Sequence, residues 1–209
     1  MSPKSLLLPL LLGLWALSII ALGLDSLRAS LYELRVNELR VAKAPIDLIA
    51  RGTQRALELR PRNPESWRVS AEQSVSHEEA INAARESLRH GPARSRTWLL
   101  LAWRLVESGA TGSDLDDALQ QTTMLAPADR PLQLSLALMG LQYWAIGSDP
   151  AQHVWEAAIG HSLQYQQDTL KQEAVRRNLG AALCLGFVDR YDLDLWCQQQ
   201  MSSPQRSQP

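Results

Sequence analysis

Residues that favour β-strands are scarce in this chain. It has one Phe and four Tyr, and its Val and Ile are few beside its Leu, Ala, Gln, Arg and Glu. This balance favours helix over strand. The formal net charge of -1 excludes a broad polyanion binder such as a nucleic-acid protein, and an apolar fraction of 45% excludes a disordered chain. We therefore expect an all-α protein.

Motifs of the common enzyme and metal classes are also missing. The sequence has no glycine-rich phosphate loop, no G-x-S-x-G elbow, no C-x-x-C pair and no H-E-x-x-H. Asp114, Asp116 and Asp117 could suggest acid/base chemistry, but in the first turn of a helix they complement the macrodipole. His153 and His161 are too far apart along a helix to share a metal ion without other ligands. We predict no catalytic, cofactor-binding or metal site, and no enzymatic activity.

The longest uncharged run, residues 5–24, reads SLLLPLLLGLWALSIIALGL. Its length of about 20 residues is what a helix needs to cross about 30 Å of hydrocarbon. The alternative is a cleaved signal peptide with Lys4 as its basic end and Ala21-Leu22-Gly23 as its cleavage site. The run exceeds the apolar core of about 7 to 15 residues that signal peptides have, so we predict an uncleaved transmembrane helix.

The charges around this run leave its orientation open. Four cations follow it within residues 25–44 and one precedes it, which favours a cytoplasmic body on a simple count. Acidic residues lie between those four cations, however, and large domains can be translocated despite flanking charge. The sequence alone therefore does not decide the topology.

Residues 25–44 are predicted to form a helical stalk. Leu24, Leu27, Leu31 and Leu34 follow one another at spacings of 3, 4 and 3 residues, which is an apolar helical stripe. The stripe could bind a partner helix or pack against the protein's own first repeat. We favour the second interpretation.

Prolines and capping residues divide residues 45–147 into short helices. Pro45 is predicted to open a helix that ends before Pro61, and Asn63 and Pro64 to begin the next. Capping boxes are predicted from Ser76 to Glu79 and, more weakly, from Ser113 to Asp116. Helices are predicted to end at Gly91-Pro92 and Ala126-Pro127, and one to begin at Asp149-Pro150. After that start we expect helices at residues 152–166 and 169–185.

Prolines and tryptophans recur at a nearly constant interval. Pro61 and Pro92 are 31 residues apart, as are Trp67 and Trp98, and Pro127 follows 35 residues after Pro92. These intervals bracket the 34-residue tetratricopeptide period. Such a period predicts stacked helix pairs, each stabilised by its neighbours.

The residues within the period resemble the tetratricopeptide repeat. The matches are Trp67, Ala71, Ala80, Ala84 and Pro92 in one unit, Trp98, Leu101, Ala102 and Pro127 in the next, and Leu136 and Ala137 in a third that lacks the Trp. Departures are Ser70 in place of a Leu, and Ser74 and Leu105 in place of a Tyr. The resemblance implies a short α-solenoid over residues 45–147, capping helices over 148–201 and a disordered tail over 202–209.

Four apolar residues mark a candidate partner groove. In the repeat register, Trp103, Leu134, Leu138 and Leu141 project toward the inner face of the stack. They could receive a partner peptide or helix. Alternatively, the protein's own stalk or C-terminal helix fills the groove, and we favour this reading.

The two cysteines, Cys184 and Cys197, lie 13 residues apart on either side of a predicted turn at residues 186–189. Two antiparallel helices could bring them together in a disulfide bond. Alternatively, Cys184 is a buried small hydrophobic residue.

The order of anchor, stalk and repeats supports a narrower resemblance. The segments ALELRPRNPESW at 56–67, RTWLLLAW at 96–103 and LAPADRPLQLSLALMGLQYW at 125–144 are similar to those of small membrane-anchored proteins of the VpsP type, which accompany bacterial exopolysaccharide synthesis and export. The resemblance implies a single-pass inner-membrane protein with a periplasmic body, which binds protein partners of an envelope polysaccharide machinery.

The function expected from this resemblance is that of an adaptor in exopolysaccharide biosynthesis or export, without a cofactor or nucleic acid. One alternative is an anchored repeat scaffold for another envelope machine, such as pilus or secretion assembly. A polysaccharide-processing enzyme would need clustered carboxylates in a cleft, and the sequence offers no convincing pair.

Overall fold

The structure is a computed structural model and describes residues 15, 23–24, 27–187 and 193–202. Every regular element in these residues is a helix, so the all-α prediction is confirmed for them. We number the helices α1 (residues 27–41), α2 (Ile46–Leu59), α3 (Pro64–Gln73), α4 (His77–His90), α5 (Ser95–Glu107), α6 (Ser113–Leu125), α7 (Arg130–Tyr143), α8 (Asp149–Tyr165), α9 (Gln167–Arg176), α10 (Gly180–Phe187) and α11 (Asp194–Ser202). A single 3-10 turn, Trp144–Ile146, follows α7.

The predicted transmembrane helix lies almost wholly outside the described residues. Of residues 5–24, the structure describes only Trp15, Gly23 and Leu24. No helix within the described part of the chain combines the length and the apolar character needed to cross a membrane. The predicted tail over 202–209 also lies outside the described residues, apart from the backbone of Ser202.

The chain divides after Pro92 into two compact units. The N-terminal unit contains α1 to α4, and the C-terminal unit contains α5 to α11. The division falls inside residues 45–147, the range that the sequence analysis assigns to repeats.

Within each unit, neighbouring helices pack in a solenoid-like arrangement of hairpins. In the N-terminal unit α3 packs on α2 and α4, and in the C-terminal unit the main pairs are α5 with α6 and α7 with α8. Short links join the members of each pair, so the chain turns back on itself and each apolar face is buried by the next helix. Helices α9 and α10 also pack on α7.

Several helix starts follow the predicted capping chemistry. Pro45 precedes α2, and the Asn63 side chain accepts a hydrogen bond from the backbone N–H of Glu65 at 2.8 Å at the start of α3. Ser76 accepts from the N–H of Glu79 at the start of α4. These contacts satisfy backbone N–H groups that have no partner inside the helix.

Two local predictions are wrong. The capping box at Ser113 does not form, because Gly112, with φ of +106°, is the N-cap and Ser113 is already the first helical residue. The single helix expected over residues 169–185 is two helices, α9 and α10. Asn178 adopts a left-handed φ of +59°, and the N–H of Leu179 donates to the carbonyl of Ala174, which ends α9.

Helix α1 packs on its own unit through the face that carries Ala29 and Val36. Both side chains are buried, and Val36 contacts Ile49 of α2 and Val69 of α3. Gly52 permits this approach, since a Cβ at that position would lie 2.8 Å from Val36 Cγ2.

The leucine stripe of the stalk lies on another face of the helix. Leu24, Leu27, Leu31 and Leu34 are between 50% and 58% exposed. The favoured interpretation, that this stripe packs against the first repeat, is therefore wrong. The face that packs is the one with the smaller Ala29 and Val36, which allow a closer approach of the backbones.

Polar contacts also tie α1 to its unit. Glu33 accepts a hydrogen bond from the Asn63 amide, and its carboxylate lies 3.5 Å from Arg60. Arg40 pairs with Glu72 of α3 at 2.7 Å. These contacts place the side of the helix opposite the leucine stripe against α2 and α3.

Candidate protein-binding surface

The predicted groove residues lie on α5 and α7, which pack together in the C-terminal unit. Leu138 and Leu141 are buried, while Trp103 and Leu134 are half-buried. Trp103 contacts the Tyr143 ring edge-on, with centroids 6.1 Å apart. Leu138 therefore belongs to the core of this unit, whereas Leu141, although mostly buried, reaches the wall of an open cavity.

Burial changes the chemistry of Tyr143 beside this core. The partly buried environment of its hydroxyl, and secondarily the negative charge of Glu107, raise the pKa of Tyr143 above its ordinary value. Its hydroxyl also accepts a hydrogen bond from the Gln142 amide at 3.0 Å. The Trp103–Tyr143 pair is thus an uncharged, mostly apolar feature at neutral pH.

An open apolar cavity lies next to Leu141. It has a volume of about 480 Å³, and its wall includes Gly140, Leu141, Trp144, Leu185, Phe187 and one charged residue, Glu156. The Trp144 and Phe187 rings meet edge-on at 6.1 Å. Leu185, at the rim, is 85% exposed. A volume in this range and a wall of aromatic and aliphatic groups are typical of ligand and peptide sites.

Gly140 of the cavity wall packs against Trp155 of α8. This side chain is fully buried, and it lies against Gly140 of α7 and Gly147 in the following link. A Cβ on Gly140 would lie 2.8 Å from Trp155 Cγ, closer than real Cβ contacts. Glycine at 140 therefore lets α7 and α8 approach closely enough to bury the indole.

The structure joins Cys184 and Cys197 by a disulfide bond. Both cysteines are buried, and their Cα atoms are 5.6 Å apart. Cys184 belongs to α10, which forms one wall of the cavity, and Cys197 belongs to α11. The bond therefore holds α11 against the helix that carries Leu185 and Phe187.

The other polar candidates from the sequence do not converge. Asp114 and Asp116 occupy the first turn of α6, as predicted, and Asp116 accepts a hydrogen bond from Ser148. His153 contacts the backbone carbonyl of Asp149, while the His161 ring packs against Tyr165. No group of His, Cys, Asp or Glu in the described ranges could hold a metal ion.

A side-chain hydrogen bond recurs at equivalent places in two helices. Trp67 Nε1 donates to the carbonyl of Pro61 at 2.7 Å, and Gln133 Nε2 donates to the carbonyl of Pro127 at 3.1 Å. Trp67 and Gln133 are each the fourth residue of their helix, and each partner lies six residues earlier. Trp98 is likewise the fourth residue of α5. The third predicted repeat thus lacks the Trp, but its Gln133 makes the same hydrogen bond to a proline carbonyl.

The sequence analysis did not identify Trp144, Leu185 or Phe187 as surface-forming residues. The available signal was GAALCLGF at 180–187, a helix that is apolar on all its faces. Such a helix is normally buried all round, yet Leu185 is exposed. The exposure of Leu185 therefore identifies this side of α10 as a candidate binding surface.

The fold and this surface define a class: an all-α protein of helix hairpins with an open apolar cavity. Neither a family model nor a curated protein sequence matches the chain.

Proposed function

We propose that the chain is a membrane-anchored helical-repeat adaptor that binds protein partners and supports exopolysaccharide biosynthesis or export. The observation that carries its binding role is the open apolar cavity between α7 and α10, with Leu185 exposed at its rim. A concave, mostly apolar cavity of this volume is typical of a binding site.

The hairpins of this adaptor are tetratricopeptide-like. Support comes from the hydrogen bond that Trp67 and Gln133 each make to a proline carbonyl six residues earlier. The same helix position and the same partner recur although the residue type differs. That recurrence is expected if the two helices are copies of one ancestral unit.

The ligand of the cavity is an apolar segment of a partner protein. Its wall offers Leu141, Trp144, Leu185 and Phe187, which reward burial of aliphatic or aromatic side chains. A partner helix with apolar residues at a spacing of 3 or 4 residues would place one side chain in the cavity and another against Leu185.

The membrane anchor and the polysaccharide context rest on the sequence. Residues 5–24 are long enough to span a bilayer, and segments 56–67, 96–103 and 125–144 resemble VpsP-type accessory proteins. The partners in this proposal are therefore envelope proteins that make or export a polysaccharide.

The test is a quantitative pull-down of the tagged full-length protein from native membranes, with partners identified by mass spectrometry. The variant Leu185→Asp places a charge at the cavity rim. Leu195→Asp is the matched control, because Leu195 is 77% exposed on α11 and is not part of the cavity wall. We expect glycan synthases or exporters with the unaltered protein and with Leu195→Asp, and at least a fivefold lower recovery with Leu185→Asp.

Other results would reject parts of the proposal. Recovery of pilus or secretion components alone would replace the polysaccharide role by that of a scaffold for another envelope machine. Equal recovery with both variants would remove the cavity as the binding surface. Release of sugar fragments from a polysaccharide by the purified protein would favour the enzyme alternative.

A further inference from the structure

Helix α1 has two apolar faces, and only one of them is covered by its own unit. Ala29 and Val36 lie seven residues apart on the covered face. On the exposed face lie Leu27, Leu31 and Leu34, followed by Val41, which is 78% exposed, and the exposed Leu24 precedes the helix at the same spacing in the sequence. Single exposed leucines are ordinary in proteins, but five exposed apolar residues at helical spacing form a stripe, which Glu38 interrupts before Val41.

The spacing of this stripe is that of a coiled-coil seam. Leu24, Leu27, Leu31 and Leu34 occupy successive a and d positions of a heptad, and Val41 occupies a later d position. Ala29 and Val36 then fall at f positions, which lie opposite the seam. The same helix can therefore pack on its own unit with one face and form a two-stranded coiled coil with the other.

We infer that α1 pairs with α1 of a second copy of this chain as a parallel, in-register coiled coil. This inference goes beyond the proposed function and does not depend on it. A seam of leucines at a and d is self-complementary, so an identical helix satisfies it without any further partner.

The charges beside the seam favour the parallel arrangement. Arg28 and Arg35 occupy e positions, while Ser30 and Asn37 occupy g positions. In a parallel pair each g residue faces the next e residue of the other helix, so Ser30 meets Arg35. In an antiparallel pair e residues face each other, which would bring the arginines together.

Glu38 interrupts the seam at an a position. Its carboxylate is paired with Arg35 of the same helix at 3.2 Å, which partly neutralises the charge. A polar residue at one a position weakens a coiled coil but helps to fix its register. Upstream, the sequence continues the heptad spacing with Leu17 and Ile20.

The test uses the full-length protein in mild detergent and single added cysteines. The native Cys184 and Cys197 are bonded to each other, so they do not compete. Leu27→Cys, at a d position, and Leu31→Cys, at an a position, are the seam variants, and Val75→Cys, at a residue 94% exposed in the link after α3, is the control. On mild oxidation we expect covalent dimers for both seam variants, at least tenfold more than for the control.

The pattern of cross-linking distinguishes a parallel pair of helices from an antiparallel pair. A parallel, in-register pair links each seam variant to itself. An antiparallel pair places d positions opposite a positions, so it links Leu27→Cys to Leu31→Cys only when the two are mixed. Cross-linking only in the mixture overturns the parallel inference. Cross-linking no greater than for Val75→Cys in every sample overturns the pairing altogether.

A second measurement changes the affinity in both directions. Analytical ultracentrifugation should show at least tenfold weaker association for the double variant Leu27→Asp with Leu31→Asp. The variant Glu38→Leu completes the seam and should show at least tenfold tighter association. Helical circular dichroism should be unchanged for both, because the altered residues lie on the exposed face. Unchanged association of both variants would overturn the inference.

Discussion

At the scale of single residues, the contact between Gly140 and Trp155 decides how closely α7 and α8 pack. We expect Gly140→Ala to lower the free energy of unfolding by about 1 to 3 kcal/mol, the usual cost of overpacking a core. The added methyl would overlap Cβ and Cγ of Trp155, and no side-chain rotation can move Cβ away. Chemical denaturation followed by circular dichroism measures the change.

The matched control for this contact is Gly186→Ala in α10. A Cβ there meets no atom within 4 Å, and Ala is favoured over Gly in a helix by about 0.5 to 1 kcal/mol. The control should therefore be neutral or slightly stabilising. Equal effects of the two substitutions would mean that Gly140 has no special role in the helix contact.

The sequence predicts only some of the residues that make structural contacts. The caps at Asn63 and Ser76 could be read from the sequence, because each depends on residues two or three positions away. Gly140 could not, because its role depends on Trp155 in another helix. The exposure of Leu185 was hidden for the same reason: neighbours distant in sequence determine which face of α10 is covered.

At the scale of helices, the disulfide bond determines how α11 is held. Its sequence separation is 13 residues, and closing a loop of this size stabilises a protein by about 2 to 4 kcal/mol. We expect the double variant Cys184→Ala with Cys197→Ala to be less stable by about that amount. Thermal melting with and without a thiol reductant measures the effect.

Reductant provides the control for the disulfide prediction. It should lower the melting temperature of the unaltered protein and leave that of the double alanine variant unchanged. If reductant leaves the melting temperature of the unaltered protein unchanged, the bond contributes nothing to stability and α11 is held by packing alone.

The limits of helices were predictable wherever proline or a capping side chain marks them, as at Pro45 and Asn63. The break between α9 and α10 was not, because Asn178 ends a helix only by adopting a left-handed conformation that few residues other than glycine reach at low cost. The covered face of α1 was also missed. Its larger leucines suggested the buried side, but backbone approach at Gly52 favours the smaller Val36.

At the scale of the whole molecule, the proposed anchor at residues 5–24 is expected to hold the protein in a membrane. We expect the protein to stay in the membrane fraction after an alkaline wash, with the mass of 23.3 kDa that corresponds to an uncleaved 209-residue chain. An arginine at the centre of a transmembrane helix costs about 2.5 to 3.5 kcal/mol of insertion energy. Leu14→Arg should therefore release much of the protein, whereas Leu195→Arg on exposed α11 should not.

A protein mass below 23.3 kDa would contradict the prediction of an uncleaved anchor. Loss of residues 1–23 would identify the run as a signal peptide cleaved after Gly23. Retention of the full mass together with release by the alkaline wash would instead show that the run does not span the bilayer.

The redox state of Cys184 and Cys197 links the C-terminal unit to the orientation of the chain. Disulfide bonds persist in the oxidising periplasm and are rare in the cytosol, where thiols are kept reduced. A periplasmic body therefore requires that both cysteines resist alkylation when the protein is denatured directly from cells without a reductant. An added Val75→Cys provides one reactive thiol as an internal standard, because Val75 is exposed.

Alkylation that shifts the protein mass by one adduct in Val75→Cys, and by three only after reduction, would place the body in the periplasm. Three adducts without reduction would place it in the cytosol, where the disulfide does not form. Leu14→Arg provides the comparison within one sequence: if the charge prevents export, the same two cysteines should become reactive. The bond between α10 and α11 would then depend on the run at the other end of the chain, since export determines whether it can form.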